Sequence, residues 1–259
     1  MTNPYQQPDN QPYGQQPYVG PQSTPYQQPP AAPADGRFDS VQSITYAFKA
    51  FGATWGTWIL AQLLFLAMVF AALIVMLIPG GVAAAIADSS SGSSGLVATS
   101  SIIMAVIIIA FIVVISVIFQ LNFVRNAVRV VQGEKVTIRD FWRIDGLGIP
   151  FLVGLVVGLL AVAGMLVLVG SIVVAVIFQF ALVAAFALRQ AGVGAVLGSA
   201  WDVFKNNIGQ AILLFILCYL ISLAGNVIVI GILVAAPVMY LAQAHAYLTA
   251  VRGPVVPRP

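Results

Sequence analysis

Four long stretches of this sequence contain no aspartate, glutamate, lysine or arginine, and they limit the possible folds more than any other feature. They cover residues 50–87, 89–124, 146–188 and 206–251. The whole chain is 60% hydrophobic and only 7% charged, whereas a typical soluble domain is roughly 25% charged. Such a chain cannot cover its apolar surface with polar groups, so the sequence predicts an integral membrane protein.

The lengths of these stretches predict an all-α fold with six membrane-spanning helices. A helix crosses the hydrocarbon core in about 20 residues, and it satisfies every backbone group within one segment, as lipid requires. The first two stretches fit one span each, whereas the third and fourth, with 43 and 46 residues, are predicted to reverse at Gly170-Ser171 and Gly225-Asn226. The predicted spans lie near residues 54–78, 97–123, 147–169, 171–188, 209–225 and 227–248.

The distribution of charge predicts the orientation. All eleven lysines and arginines fall in segments that six spans place on one side, and the opposite loops carry a single charged residue, Asp88. Loops rich in lysine and arginine stay in the cytoplasm, so we expect a multi-pass protein of a bacterial plasma membrane with both termini cytoplasmic. The expected organisation is a tail (1–36), a membrane domain (37–253) and a short cytoplasmic C-terminus (254–259).

The N-terminal tail differs in composition from the rest of the chain. Residues 1–36 are rich in proline, glutamine and tyrosine, contain PYQQP twice and carry no lysine or arginine. A segment with so little apolar surface cannot offset the entropy of ordering, so the tail is predicted to be disordered. It is either a passive spacer or a docking strip for a cytoplasmic or membrane protein partner, through polyproline II structure and spaced tyrosines.

Recurring residues predict an internal repeat. The sequence VIFQ occurs at residues 117–120 and again 59 residues later, and the pairs Gly133/Gly192 and Trp142/Trp201 have the same offset. Glycine commonly ends a helix in the left-handed conformation, and Gly253 would end a third unit. The pattern favours three hairpins, each preceded by a cytoplasmic interfacial helix, near residues 43–51, 136–144 and 197–208.

Two of these interfacial segments have an apolar helical face suited to lying in the membrane plane. Tryptophan is enriched at the same level of a bilayer, and all four tryptophans of the chain fall there. The predicted interfacial anchors are Trp55, Trp58, Trp142 and Trp201. The two predicted apolar faces consist of Val41, Ile44, Phe48 and Phe51, and of Leu197, Trp201, Phe204 and Ile208.

Two stretches carry a resemblance to known membrane proteins: ITYAFKAFGATW (44–55) and VLGSAWDVFKNNIGQAILL (196–214). They resemble uncharacterised six-span bacterial inner-membrane families, and they are similar to the membrane domain fused to some glycerophosphodiester phosphodiesterases. The tail resembles those of many actinobacterial membrane proteins. The resemblance covers about residues 40–250 and implies an architecture and an envelope role. It does not imply phosphodiesterase activity, because no such domain follows.

The polar residues of the spans do not predict an enzyme. The one histidine, His245, and the best-placed serine, Ser171, are expected at opposite ends of the bundle, roughly 25–30 Å apart by helix rise, whereas a nucleophile must contact its base. One histidine and one cysteine are too few ligands for a metal. We therefore expect no catalytic, metal or cofactor site. Cys218 is expected to be an inert buried thiol, and His245 a hydrogen-bonded residue rather than a pH sensor.

The most basic loop predicts contacts with membrane lipid. Within each of two arginine pairs the members are four residues apart and share a helical face, and cations near anionic headgroups gain about 1 kcal/mol each. The residues are Arg125, Arg129, Lys135, Arg139 and Arg143. They are either contacts to anionic lipid or determinants of orientation alone. In the third predicted span, Gly154 and Gly158 form a GxxxG pair that serves either packing within the bundle or a dimer face.

Together these features predict a non-enzymatic accessory or scaffold protein of the bacterial cell envelope. Coupled carriers usually hold charged residues within the bilayer, and the spans contain none. The alternative is a passive channel or a lipid or small-solute pathway between the hairpins. Membrane lipids and a tail-bound protein are the expected partners, and nucleic acid is not.

Overall fold

The computed structural model describes residues 36–89, 94–167, 169–188, 191–227 and 231–256. The predicted tail, apart from Gly36, lies outside the described residues, as do residues 257–259. The described residues form α-helices and one 3-10 helix (Ile138–Trp142), and they contain no β-strand. The α-helices are α1 (Ser40–Ser89), α2 (Ser94–Val131), α3 (Gly148–Gly164), α4 (Gly170–Phe178), α5 (Ala181–Ala187), α6 (Val193–Asn206), α7 (Ile208–Val227) and α8 (Ile232–Ala250).

The structure confirms a helical protein with several segments able to cross a membrane. Five described segments are long and apolar enough to span one. The exception among the predicted spans is α3, which is apolar but only 17 residues long, about 25 Å by helix rise. The five segments are Ser40–Leu77, Ile102–Val131, Gly170–Ala187, Ile208–Val227 and Ile232–Ala250.

The three predicted interfacial helices take three different forms. A separate helix at residues 43–51 is a wrong prediction, because α1 runs unbroken from Ser40. Residues 40–55 contain no proline that would end the helix there, and the Thr54 hydroxyl donates to the Ala50 carbonyl oxygen at 2.8 Å within the continuous helix. The second segment is only the five-residue 3-10 helix. The third is a separate helix, α6, which ends where the Asn207 side chain donates to the Val203 carbonyl oxygen at 3.0 Å.

Glycines allow the closest approaches between consecutive helices. A Cβ on Gly164 would lie 2.7 Å from the carbonyl carbon of Gly170, so only a residue without a side chain fits where α3 meets α4. Likewise a Cβ on Gly225 would lie 2.7 Å from the Cβ of Ala235 in α8. The reversals lie slightly away from the predicted positions. The first precedes Gly170, and the second follows Val227, because α7 continues through Gly225-Asn226.

The two glycines predicted to pack do not make such approaches. A Cβ on Gly158 would meet nothing within 4 Å, and one on Gly154 would only reach ordinary contact with Leu182, at 3.5 Å. Gly158 is exposed and Gly154 is half-buried. Close packing of α3 within the chain therefore occurs at its C-terminal glycine, Gly164, and not at the GxxxG pair.

The polar ends of the helices meet at one end of the bundle, which we call the polar end. Before α1, the Phe38 backbone N–H donates to Asn207, at the start of α7. The Ser40 hydroxyl donates to the Gln210 carbonyl oxygen at 2.6 Å. After α8, the Val256 N–H donates to the carbonyl oxygen of Val131, the last residue of α2, at 3.0 Å. The segments that flank α1, α2, α7 and α8 are thus joined by hydrogen bonds at this end.

Gly164 provides a test of the α3–α4 junction. We expect Gly164→Ala to lower the thermal unfolding temperature in detergent, because the added methyl group would overlap backbone atoms that cannot rotate away, at a cost of about 1–3 kcal/mol. Gly158→Ala is the matched control on the same helix. It should be neutral or slightly stabilising, by up to about 1 kcal/mol, because alanine favours helix and the site is open. Equal melting temperatures for the two variants would contradict this packing.

Candidate functional site

The basic segment predicted to contact lipid folds back on itself at the polar end. Arg125 and Arg129 project from the last turns of α2, and Gly133 ends that helix with a φ of +87°. The chain then enters the 3-10 helix, which begins with a reciprocal cap. The Asp140 carboxylate accepts hydrogen bonds from the Thr137 backbone N–H, at 2.8 Å, and from the Thr137 hydroxyl, at 2.7 Å. This cap orients Asp140 towards α2.

Three of the five predicted lipid-contact residues are paired with carboxylates. Arg129 contacts Glu134 at 2.6 Å and Asp140 at 2.9 Å. Arg143 contacts Asp145 at 3.1 Å, and Arg125 lies 3.5 Å from the same carboxylate. The sequence showed the cations of this loop, but it did not show that the acids between them fold onto the same arginines.

Two carboxylates of this cluster, those of Asp140 and Asp145, have lowered pKa values and are held in the ionised form. Burial alone would raise the pKa of Asp140, but hydrogen bonds from Thr137 and Arg129 outweigh it and lower the pKa from 3.8 to about 2. The hydrogen bond from Arg143 lowers the pKa of Asp145 below its usual value. A lowered folded-state pKa means that the stability from Asp140 is present above about pH 4 and is lost as the pH falls towards 2.

The arginine cluster borders a cleft of about 510 Å³, which we call the charged cleft. Its apolar wall includes Val128 of α2, Ile149 and Pro150 of α3, and Phe186 of α5. The Arg125 guanidinium lies 5.9 Å from the centre of the Phe186 ring, within the range of a cation–π contact. The polar lining consists of Arg125, Arg129, Gln132, Glu134, Arg143 and Asp145. Lys135 and Arg139 do not line the cleft.

The four predicted anchor tryptophans divide into two surface residues and two that pack inside. Trp55 is 58% exposed and Trp201 is 44% exposed, which suits an interfacial position. Trp58 is only 1% exposed, so its assignment as an anchor is wrong. Its ring packs against Phe123 and Phe141. Trp142 is half-buried.

The single histidine does contact a serine, but not the one considered from the sequence. His245 Nδ1 lies 3.0 Å from Ser43 Oγ, a residue 202 positions earlier. Because the Ser43 hydroxyl donates its one hydrogen to the Asp39 carbonyl oxygen at 2.8 Å, Nδ1 must be the donor to Ser43. A nitrogen that already carries a proton cannot act as the base for that serine. The pair, with Tyr46 stacked on the imidazole, joins α1 to α8.

Two buried asparagines, one helical turn apart in α2, have opposite environments. The Asn122 side chain donates to the Arg143 carbonyl oxygen at 2.7 Å and accepts a hydrogen bond from Arg125. Asn126 is equally buried, yet neither its amide nitrogen nor its oxygen has a hydrogen-bond partner among the described residues. Periodicity could not distinguish them, because residues four positions apart lie on the same side of a helix. Among the described residues no group of histidine, cysteine, aspartate and glutamate could hold a metal ion.

This contrast gives a paired prediction for stability. We expect Asn126→Leu to leave the thermal unfolding temperature unchanged or to raise it, because it removes a buried polar group that costs about 1–3 kcal/mol when it is not hydrogen-bonded. Asn122→Leu, the same change one turn away, should lower stability by a similar amount, because it leaves the Arg143 carbonyl oxygen without its donor. Thermal denaturation of both variants in the same detergent measures the difference. A large loss for Asn126→Leu would contradict the assignment.

Comparison with known proteins finds no match for this chain. Neither a protein-family model, nor a curated protein, nor a solved structure matches the chain. The resemblance to six-span inner-membrane families therefore stays a prediction, and the function has to be argued from the geometry of the described residues.

Proposed function

We propose that this chain is a six-span scaffold or accessory protein of the bacterial plasma membrane, with both termini in the cytoplasm. The number of spans is supported by where the membrane domain begins and ends. Gly36 lies beside Ala250, since a Cβ on Gly36 would sit 3.3 Å from the Ala250 carbonyl oxygen. Tyr46 donates to the Val256 carbonyl oxygen at 3.0 Å. A membrane domain whose first and last helices begin and end on one side crosses the membrane an even number of times.

An even number excludes five crossings, although five segments qualify by length. Either α3 is the sixth span, or α3 and the α4–α5 segment form a re-entrant pair and four segments cross. The length of α3, about 25 Å, falls only a few ångströms short of a hydrocarbon core of about 30 Å, and local thinning of the bilayer absorbs such a mismatch at modest cost. The six-span arrangement is therefore favoured.

A structural role is supported by three glutamines that form hydrogen bonds between helices. Gln62 of α1 donates to the Leu233 carbonyl oxygen of α8 at 2.9 Å. Gln120 of α2 donates to the Tyr240 hydroxyl of α8, and Gln179 donates to the Ala211 carbonyl oxygen of α7 at 2.9 Å. A substrate pathway needs polar groups that face a lumen, whereas these three side chains form hydrogen bonds to a neighbouring helix.

The exposed apolar surfaces of the outer halves of α1 and α2 favour a scaffold role over a self-contained bundle. The core is concentrated at the polar end, and α1 beyond Gln62 exposes apolar side chains on several faces. In a bilayer these faces meet lipid or the helices of other membrane proteins. The exposed large residues of this part of α1 are Leu63, Leu64, Leu66, Phe70, Leu73, Ile74, Val75 and Leu77.

The topology can be tested with single cysteines, because the chain contains one cysteine, the buried Cys218. In a Cys218→Ala background, Leu166→Cys, at a position 90% exposed between α3 and α4, should react with a membrane-impermeant thiol reagent in intact cells. Ile144→Cys, exposed at the polar end, is the control and should react only after permeabilisation. If Leu166→Cys also needs permeabilisation, α3 does not cross and the four-span arrangement holds.

The scaffold role can be tested by deleting the tail. We expect loss of residues 2–36 to leave membrane insertion and thermal stability unchanged, because the start of α1 is fixed by hydrogen bonds from Phe38 and Ser40, which the deletion leaves in place. The same deletion should reduce the set of proteins that co-purify from native membranes. Solute flux or lipid transfer by the purified protein in liposomes, together with an unchanged co-purifying set, would instead support the pathway alternative.

A further inference from the structure

The balance of charge in the charged cleft is unsuited to a simple anion. Three arginines and two carboxylates line it, which leaves a single excess positive charge. Asp140 lies behind the cleft and contacts Arg129 at 2.9 Å, so the local balance is close to neutral. A purely anionic headgroup would be attracted by the arginines and repelled by Glu134 and Asp145. The cleft therefore favours a ligand that carries both signs of charge, and contacts of anionic lipid with the cations outside it stay a prediction.

Positive and negative groups alternate around the cleft at contact distance. Arg129 and Glu134 are adjacent at 2.6 Å, and Arg143 and Asp145 at 3.1 Å. Arg143 and Asp145 remain accessible, with side chains 49% and 62% exposed. A ligand that carries both a phosphate and an ammonium group matches this alternation. Its phosphate would accept from guanidinium N–H groups, and its ammonium N–H groups would donate to the carboxylates.

The start of α3 adds to the phosphate side of the cleft. Gly146, Gly148 and Ile149 line it, and the first turn of α3 has no side-chain cap. Backbone N–H groups at a helix N-terminus favour a phosphate oxygen. Gly146 has a φ of +70°, and a Cβ there would lie 3.1 Å from Arg125 Nη2. This glycine thus lets the loop approach the guanidinium closely.

The apolar wall places the cleft at the edge of the lipid-facing surface. Phe186 and Pro150 form part of that wall, and the next two residues of α3, Phe151 and Leu152, have exposed side chains. A molecule bound by its polar end in the cleft could extend its apolar part along this surface of α3. That arrangement suits a lipid and not a small soluble zwitterion.

We propose that the charged cleft binds the headgroup of a zwitterionic phospholipid that has a primary ammonium group, of the phosphatidylethanolamine class. The phosphate lies against Arg125, Arg143 and the start of α3, and the ammonium group lies against Glu134 and Asp145. The site requires no channel or catalytic activity, so it is independent of the scaffold role.

The test compares lipids that share the phosphate and differ in the second charge. Purified full-length protein, exchanged into nanodiscs or micelles containing defined mixtures, is examined by native mass spectrometry for retained lipid. Phosphatidylethanolamine should be retained about fivefold more strongly than phosphatidylglycerol, the change expected from one favourable charge contact. Phosphatidylcholine should be retained less than phosphatidylethanolamine, because its quaternary ammonium has no N–H to donate.

Variants separate the two halves of the site. Asp145→Asn should reduce phosphatidylethanolamine retention about fivefold and leave phosphatidylglycerol unchanged or increased. The fold is expected to survive, because Arg125 binds the backbone oxygen of Asp145 at 2.6 Å, which the substitution preserves. Arg143→Gln should weaken both lipids. Lys135→Gln, outside the cleft with the same change of charge, is the control and should alter neither.

Three results would overturn the proposal. The first is equal retention of phosphatidylglycerol and phosphatidylethanolamine by the unmodified protein. The second is an Asp145→Asn variant that keeps the wild-type ratio of the two lipids. The third is displacement of the lipid by an equal concentration of soluble glycerophosphoethanolamine, which would show that the site recognises a free headgroup and makes no use of the apolar surface beside Phe186.

Discussion

The burial of the last three turns of α2 is the constraint on which the rest of the structure depends. Residues 121–131 are buried on every side except at Arg125 and Arg129, so this segment lies in the middle of the polar end. The Phe123 ring contacts Trp58 of α1, Phe141 of the 3-10 helix and Tyr240 of α8. The charged side chains of a helix surrounded in this way must find their partners locally. The two arginines therefore face the one direction in which carboxylates, Gly146 and the cleft are available.

The acidic residues of the charged cluster lower the cost of placing arginine side chains beside lipid. Guanidinium groups next to hydrocarbon are costly when unpaired, and Glu134, Asp140 and Asp145 reduce that cost within 20 residues of Arg125. Because the pKa values of Asp140 and Asp145 are lowered, the cluster keeps strong local fields with little net charge. A surface of that kind discriminates between headgroups by the arrangement of their charges and not by their sum, which the count of arginines in the sequence could not reveal.

The sequence was sufficient for the features that depend on a simple balance of polar and apolar residues. The helical class and the long apolar segments follow from the absence of charge, since lipid leaves no other way to satisfy the backbone. The errors arise where tertiary contacts decide. Trp58 is as compatible with a membrane interface as with a core, until Phe123 and Phe141 are brought beside it. Ser43 and His245 are 202 residues apart, and no periodic pattern links them. Gly158 shares the GxxxG spacing, but a Cβ there would meet nothing within 4 Å, whereas Gly164, Gly170 and Gly225 meet another helix closely enough to need a hydrogen in place of a side chain.

The uneven packing of the molecule links its fold to the role proposed for it. Hydrogen bonds between distant segments, such as those of Ser40 with Gln210 and of Val256 with Val131, fix the polar end. Residues 63–77 of α1 instead present leucine, isoleucine and phenylalanine outward. Apolar burial provides no drive for helix association inside lipid, so partners there are selected by shape and by the few polar links available. A rigid end beside projecting helices is therefore suited to holding other membrane proteins in place. A phospholipid bound beside Phe186 would fix the depth of that end relative to the headgroups.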